Sequence, residues 1–261
     1  MTTAATGDRI AAAFSGHGAR AALMPYLMGG YPDLQTSRLA CEAAADAGAS
    51  MLELGVPFSD PLADGPVIHA AATQALSVGV TPDDVLGVCE AASARVPVVL
   101  MVYANVVLQA GLETYVRRAA GAGAAGLIVP DLPHDEAAEL RGICDSQGLA
   151  LVPLVAPTTT PERMAAIGAD ARGFVYTVAL SGITGERDEL APELPTMVER
   201  VRAASEVPVA VGFGISTPVQ ADAVAELADG VIVGSRMVRA AGEGGAPAVA
   251  AVVEELAAAL R

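Results

Sequence analysis

Short apolar runs alternate with longer amphipathic stretches along the whole chain. The runs are Ala22–Met28, Met51–Val56, Val96–Tyr103, Gly126–Pro130, Ala150–Val155, Gly173–Val178, Val207–Gly212 and Gly230–Val233. They read as eight strands. Between them the pattern predicts helices over Asp33–Ala47, Pro82–Ala94, Leu112–Ala122, Asp135–Gln147, Pro161–Ile167, Leu194–Ser205, Pro218–Leu227 and Ala246–Leu260. The first carries the apolar stripe Leu34, Leu39, Ala40 and Ala44. Several begin with a capping Thr and a first-turn Pro, as in Thr81-Pro82, Thr160-Pro161 and Thr217-Pro218.

Strands and helices alternating at this spacing make parallel βα units. Eight units in about 250 residues predict an α/β fold, a closed (β/α)₈ TIM barrel, as a single domain over 1–261. An extra N-terminal helix, Asp8–Ser15, would cap its bottom. The rival is an open doubly wound sheet, which usually shows a Gly-rich dinucleotide turn after its first strand. Met28-Gly29-Gly30-Tyr31 lacks that spacing.

Composition changes the picture in three ways. The chain is 53% hydrophobic and 17% charged, enough apolar content for a large core. Its net charge of −15 disfavours nucleic acid and anionic membranes as partners. All fifteen cationic side chains are Arg, so a Schiff-base lysine and a P-loop lysine are excluded. Cys41, Cys89 and Cys144 lie far apart with no metal spacing and read as buried reduced thiols. With three histidines and scattered acids, no metal site is expected. No signal peptide or membrane span is visible, so a cytoplasmic protein is expected.

The segment Glu53-Leu-Gly-Val-Pro-Phe-Ser-Asp-Pro-Leu-Ala-Asp64-Gly-Pro66 carries the clearest chemistry. Glu53 stands inside an apolar strand. Leu52 and Leu54 share one face, and Met51, Glu53 and Gly55 share the other. A Glu on the solvent face of an edge strand is the commoner case. A strand covered on both faces buries Glu53 whichever way it points, and a buried carboxylate is costly unless a proton must move there. Active sites of such barrels lie at the C-terminal strand ends. Those ends here carry Glu53 and the acids Asp60 and Asp64, Tyr103-Ala-Asn105, Pro130-Asp-Leu-Pro133, Gly212-Phe-Gly-Ile-Ser216 and Gly234-Ser235. The glycines after the last two strands let backbone N–H groups approach an anion such as phosphate.

These motifs, in this order and over nearly the whole chain, resemble the α subunit of tryptophan synthase. Gly182-Ile-Thr-Gly185 adds to the likeness. The resemblance implies retro-aldol cleavage of indole-3-glycerol phosphate to indole and glyceraldehyde 3-phosphate. That chemistry needs a proton delivered to indole C3 and one removed from the glycerol hydroxyl. A carboxyl group with a raised pKa can do both, and Glu53 is the candidate. Asp64 would stabilise positive charge at the indole nitrogen. The family's pattern places Tyr176 beside this pair. It places the phosphate on Gly185, Gly214, Gly234 and Ser235, with Phe213 in the same motif. Tyr26, Ile68, Leu100 and Ile128 would wall the indole.

Gly182–Leu190 reads as a mobile lid, with Thr184 reaching Asp64 on closure. Leu180 and Phe174 depart from polar or Tyr residues found in some members. The resemblance also implies a β subunit that carries pyridoxal phosphate and uses the indole, within an α₂β₂ heterotetramer. This subunit would carry no cofactor of its own. Asp60, Pro61, Asn105 and Val106 would meet the partner. Val106, Val107 and Leu108 form an exposed apolar patch unless they pack under their own loop. His69 and His134 read as surface or cap residues, and Asp131 as a loop anchor or a partner contact. A metal- or lysine-dependent epimerase or isomerase is disfavoured, because this chain offers neither group. A barrel that only binds is disfavoured because both Glu53 and Asp64 are present.

Overall fold

The structure, a computed structural model, describes residues 6–16, 18–178, 192–212 and 214–261. Its strands are β1 (Ala22–Met28), β2 (Leu52–Gly55), β3 (Val98–Met101), β4 (Gly126–Ile128), β5 (Ala150–Val152), β6 (Leu154–Val155), β7 (Val175–Val178), β8 (Val209–Gly212) and β9 (Gly230–Val233). All pair in parallel, in the order β5-β4-β3-β2-β1-β9-β8-β7-β6. The expected fifth strand is thus two, split at Pro153, which has no N–H to give the ladder. Its carbonyl still accepts from the Tyr176 N–H at 2.9 Å. The two ends of the sheet are one residue apart in the chain, which makes the sheet a barrel.

The helices are α1 (Thr6–Ser15), α2 (Leu34–Asp46), α3 (Pro66–Ser77), α4 (Pro82–Ser93), α5 (Ala104–Ala110), α6 (Leu112–Gly121), α7 (Ala138–Ser146), α8 (Pro161–Asp170), α9 (Leu194–Ala204), α10 (Pro218–Ala225) and α11 (Ser235–Ala259). A short 3₁₀ turn, His134–Glu136, precedes α7. Thr81, Thr160 and Thr217 cap their helices with the side-chain oxygen, each with Pro in the first turn. A helix start near His69 is expected and α3 realises it, while α5 and the first part of α11 have no predicted counterpart. The α11 run bends at Gly245, where φ is 60°, and its second part covers the predicted Ala246–Leu260.

The register sorts the strand residues into two layers. Tyr26, Glu53 and Val99 are paired neighbours, as are Gly55, Met101 and Ile128, and all point into the barrel. Leu52, Leu54, Leu100 and Leu127 point outward into the helical layer. The N-terminal end of the barrel is closed by α1. Ile10 is fully buried there, and Phe14 packs on Phe174 with ring centroids 5.5 Å apart. Arg9 fixes this helix by donating to the carbonyls of Ser93 at 2.6 Å and Gly123 at 3.2 Å. The cysteines are buried and unpaired, and burial pushes all three thiols up to about 12.

Candidate active site

Glu53 lies on the inner face of β2, 4% exposed. Neither carboxylate oxygen has a hydrogen-bond partner among the described residues. Burial, with a further push from the Asp64 charge, raises its pKa to about 8. The group is therefore mostly protonated at neutral pH and able to deliver a proton. It opens into a cleft at the C-terminal end of the barrel, shared with Asp64, Tyr26, Ile68, Tyr176, Gly214, Gly234 and Ser235.

Asp64 closes the loop between β2 and α3. Burial raises its carboxyl, while a hydrogen bond from the Tyr103 hydroxyl and the nearby His69 pull it back down. The two carboxyl groups thus differ in environment, which separates an acid from a fixed charge. Their neighbours are phenols. Tyr26 and Tyr176 are buried, and burial followed by the charges of Glu53 and Asp64 pushes both well above the ordinary tyrosine range. Glycine makes room for these rings. A Cβ on Gly55 would lie 2.1 Å from the Tyr26 hydroxyl, and one on Gly212 would lie 2.4 Å from that of Tyr176.

The same cleft is lined by Gly214, Gly234 and Ser235. Gly214 has φ 84°, open to glycine with little strain. Gly234 directly precedes α11, so the first N–H groups of that helix face the cleft end. Arg236, one residue further on, turns away to the Ser216 carbonyl at 2.7 Å and to Glu255. Among the described lining residues there is no cationic side chain. An anion here would be held by backbone N–H groups, the Ser235 hydroxyl and the helix dipole.

The expected indole wall needs one correction. Leu100 faces the helices, because strand alternation sends every second residue outward, and Met101 takes the place assigned to it. Ile128 is fully buried in the barrel interior beside Met101. Thr184, Gly185, Phe213 and the Gly182–Leu190 lid lie outside the described residues. Sequence reading missed Met101, Ile215 and Ile232. The two on strands share the parity of the inner face, which the strand pairing reveals and the apolar runs themselves do not. Asp60 and Asn105 are exposed, and Pro61 and Val106 are half-buried. The apolar patch resolves into a helix turn: Val107 is buried, Val106 packs on the core and Leu108 stays 62% exposed. Asp131 accepts from the Ala104 N–H at 2.8 Å and so anchors the start of α5.

A larger hollow of about 380 Å³ lies between α7 and α8, away from both acids. Asp170 at its edge takes an ion pair from Arg141 at 2.9 Å and a contact from His134 Nε2 at 3.4 Å. His134 is thus engaged in holding α7 to α8. Among the described residues no cluster of His, Cys, Asp and Glu could hold a metal ion. Among them, too, no helix is long and apolar enough to cross a membrane.

A barrel with a buried acid and a glycine-lined, uncharged pocket in one cleft at its strand ends has the layout of an α/β-barrel enzyme. The family model described as tryptophan synthase alpha chain matches residues 14–260. Curated relatives of that description include one from Carboxydothermus hydrogenoformans, 48% identical over 83% of this chain and 82% of its own length. Another, from Synechococcus elongatus, is 45% identical over 91% and 90%. The tryptophan synthase structure of Mycobacterium tuberculosis superposes with a TM-score of 0.91 at 43% identity, covering 97% of this chain and 98% of that one. The alpha subunit of Legionella pneumophila gives 0.86 at 35% identity, over 97% and 98%. The chain belongs to the tryptophan synthase alpha chain family. It is a lyase of tryptophan biosynthesis, and its reaction is the half-reaction that cleaves indole-3-glycerol phosphate.

Proposed function

We propose that Glu53 is the acid and base of this cleavage, acting in one barrel unit formed by the whole chain. The protonated carboxyl gives its proton to indole C3, leaving positive charge on the ring nitrogen. Asp64 stabilises that charge. The bond between C3 and the glycerol carbon then breaks, and its electron pair returns to the ring to restore neutral indole. The proton of the adjacent hydroxyl passes to the Glu53 carboxylate as that carbon becomes the aldehyde. Glu53 is left protonated, as it began. Tyr26, Ile68 and Met101 wall the ring, Ile128 packs behind them, and Tyr176 stands beside the two acids. Gly214, Gly234 and Ser235 hold the phosphate, joined by Gly185 and Phe213.

The observation that carries this reading is the pairing of an unpartnered buried Glu53 with the anion pocket in one cleft. It is tested by following indole release from indole-3-glycerol phosphate as a function of pH. The rate is expected to fall as pH rises through about 8, where Glu53 loses its proton. It should also fall on the acid side, as Asp64 is neutralised above the usual carboxylate range. A rate that holds level well beyond pH 9 would exclude Glu53 as the acid.

The partner is a β subunit, docked over Asp60, Pro61, Asn105 and Val106 in an α₂β₂ assembly. It holds the pyridoxal phosphate, and this chain uses no cofactor. The assembly is cytoplasmic. Leu62, 85% exposed beside Asp60, and Leu108 supply apolar anchors at the cleft rim. Leu108→Glu is expected to weaken association with the β subunit about tenfold or more in a titration, leaving indole release by the free chain unchanged.

A further inference from the structure

The loop from Pro57 to Gly65 has no helix or strand of its own, yet it must hold Asp64 still. The side chain that ties it down comes from another strand end. The Tyr103 hydroxyl accepts from the Ala63 N–H at 3.2 Å and donates to the Asp64 carboxylate. Its ring stacks on Phe58 at the far side of the same loop, with centroids 5.0 Å apart and planes 24° apart. One buried phenol therefore touches the loop at its beginning and its end.

Tyr103 is itself held at both flanks. The Val102 N–H donates to the Ile128 carbonyl at 2.9 Å, continuing the β3–β4 ladder. On the other side, Asp131 takes the Ala104 N–H at 2.8 Å, and the Tyr103 carbonyl accepts from the Val106 N–H at 3.0 Å. The phenol thus stands on the rigid part of the barrel, while the loop it grips does not. A group that holds a charge beside the substrate from a fixed base preserves the geometry that electrostatic stabilisation requires.

We propose that Tyr103 is a positioning residue for the lyase reaction, its hydroxyl clamping Ala63 and Asp64 so that the Asp64 carboxylate stays fixed at the cleft. It does not touch the reacting atoms. This inference rests on the charge-stabilising role given to Asp64. Tyr103→Phe keeps the ring on Phe58 and removes only the clamp. Asp64 then loses a donor that favours its charged form, so its protonation moves to higher pH.

The test compares wild type, Tyr103→Phe and Asp64→Asn by indole release across pH, with thermal melting as a control for folding. Tyr103→Phe is expected to lower kcat/KM for indole-3-glycerol phosphate about tenfold or more at neutral pH, the scale of one hydrogen bond to a charged group. Its acid limb should move upward while the alkaline limb, set by Glu53, stays at about 8. A loss of activity with both limbs in place would mean a merely structural role and overturns the proposal. So does a wild-type profile in Tyr103→Phe when Asp64→Asn is impaired. Full turnover in Asp64→Asn would instead remove the role of Asp64, and the positioning role with it.

Discussion

Glu53→Gln is expected to slow indole release at least a hundredfold, while making the protein more resistant to unfolding at alkaline pH. The first effect follows from removing the proton donor and acceptor, a contribution of about 10²–10⁴-fold for a positioned acid or base. The second follows from linkage. Folding raises the Glu53 pKa from 4.5 to about 8. Between those values the folded chain keeps a proton that the unfolded chain has lost. Stability from this group is fully present below about 4.5 and declines as pH rises through about 8. By then the charged, unpartnered carboxylate costs on the order of a few kcal/mol. Glutamine has nearly the same shape and never ionises, so the variant escapes that decline. Melting curves at pH 5 and pH 9 for both proteins check this. A wild-type chain that loses no more stability than the variant between those pH values would mean that Glu53 is not held in an apolar site. A variant retaining more than about a tenth of wild-type turnover would end its acid–base role.

Gly168→Ala is expected to cause the largest loss of stability among small substitutions away from the cleft. Gly168 lies where α8 crosses the end of α9. A Cβ there would sit 1.9 Å from the Ala204 carbonyl oxygen and 2.6 Å from its carbon. Both are backbone atoms, so no side-chain rotation relieves the clash, and the two helices must separate. Overpacking of this kind costs about 1–3 kcal/mol and sometimes more. For a chain of this size that lowers the melting temperature by roughly 2–4 °C per kcal/mol. Turnover per folded molecule should hold, because Gly168 is remote from the acids. Gly142→Ala is the control. It lies inside α7 with nothing within 4 Å of the added methyl, so it should be neutral or slightly stabilising. Equal melting temperatures for Gly168→Ala and wild type would show that the helices can part without cost.

Glu53 and Leu100 show what the sequence made legible and where it stopped. Alternation around Glu53 is unambiguous, because a charged residue among apolar ones marks its own face. Leu100 sits in Val98–Met101, apolar on both faces, and nothing in such a run says which parity points inward. That information lives in the pairing with β2, through which Met101 aligns with Gly55. Pro153 stands inside a run that reads as one strand, and its consequence depends on neighbours: the run of six became two strands because β4 bonds one side of it and β7 the other. The extent of α3 was not legible because its buried face is mostly small alanines, and α5 escaped notice because a single buried Val107 gives little amphipathic signal. The cleft acids and glycines were readable as motifs. The clamp from Tyr103 was not, because it joins residues forty positions apart through a loop whose path no local pattern determines.

The capping threonines have a consequence for how such a chain can vary. Thr160 and Thr217 fasten α8 and α10 immediately after strand-end loops, each helix start secured by its own hydroxyl and proline. The start of each helix is therefore satisfied by its own residues rather than by the turn that leads up to it. Residues in that turn can be exchanged, lengthened or shortened without unravelling the helix that follows, so new specificities can be explored on an unchanged frame.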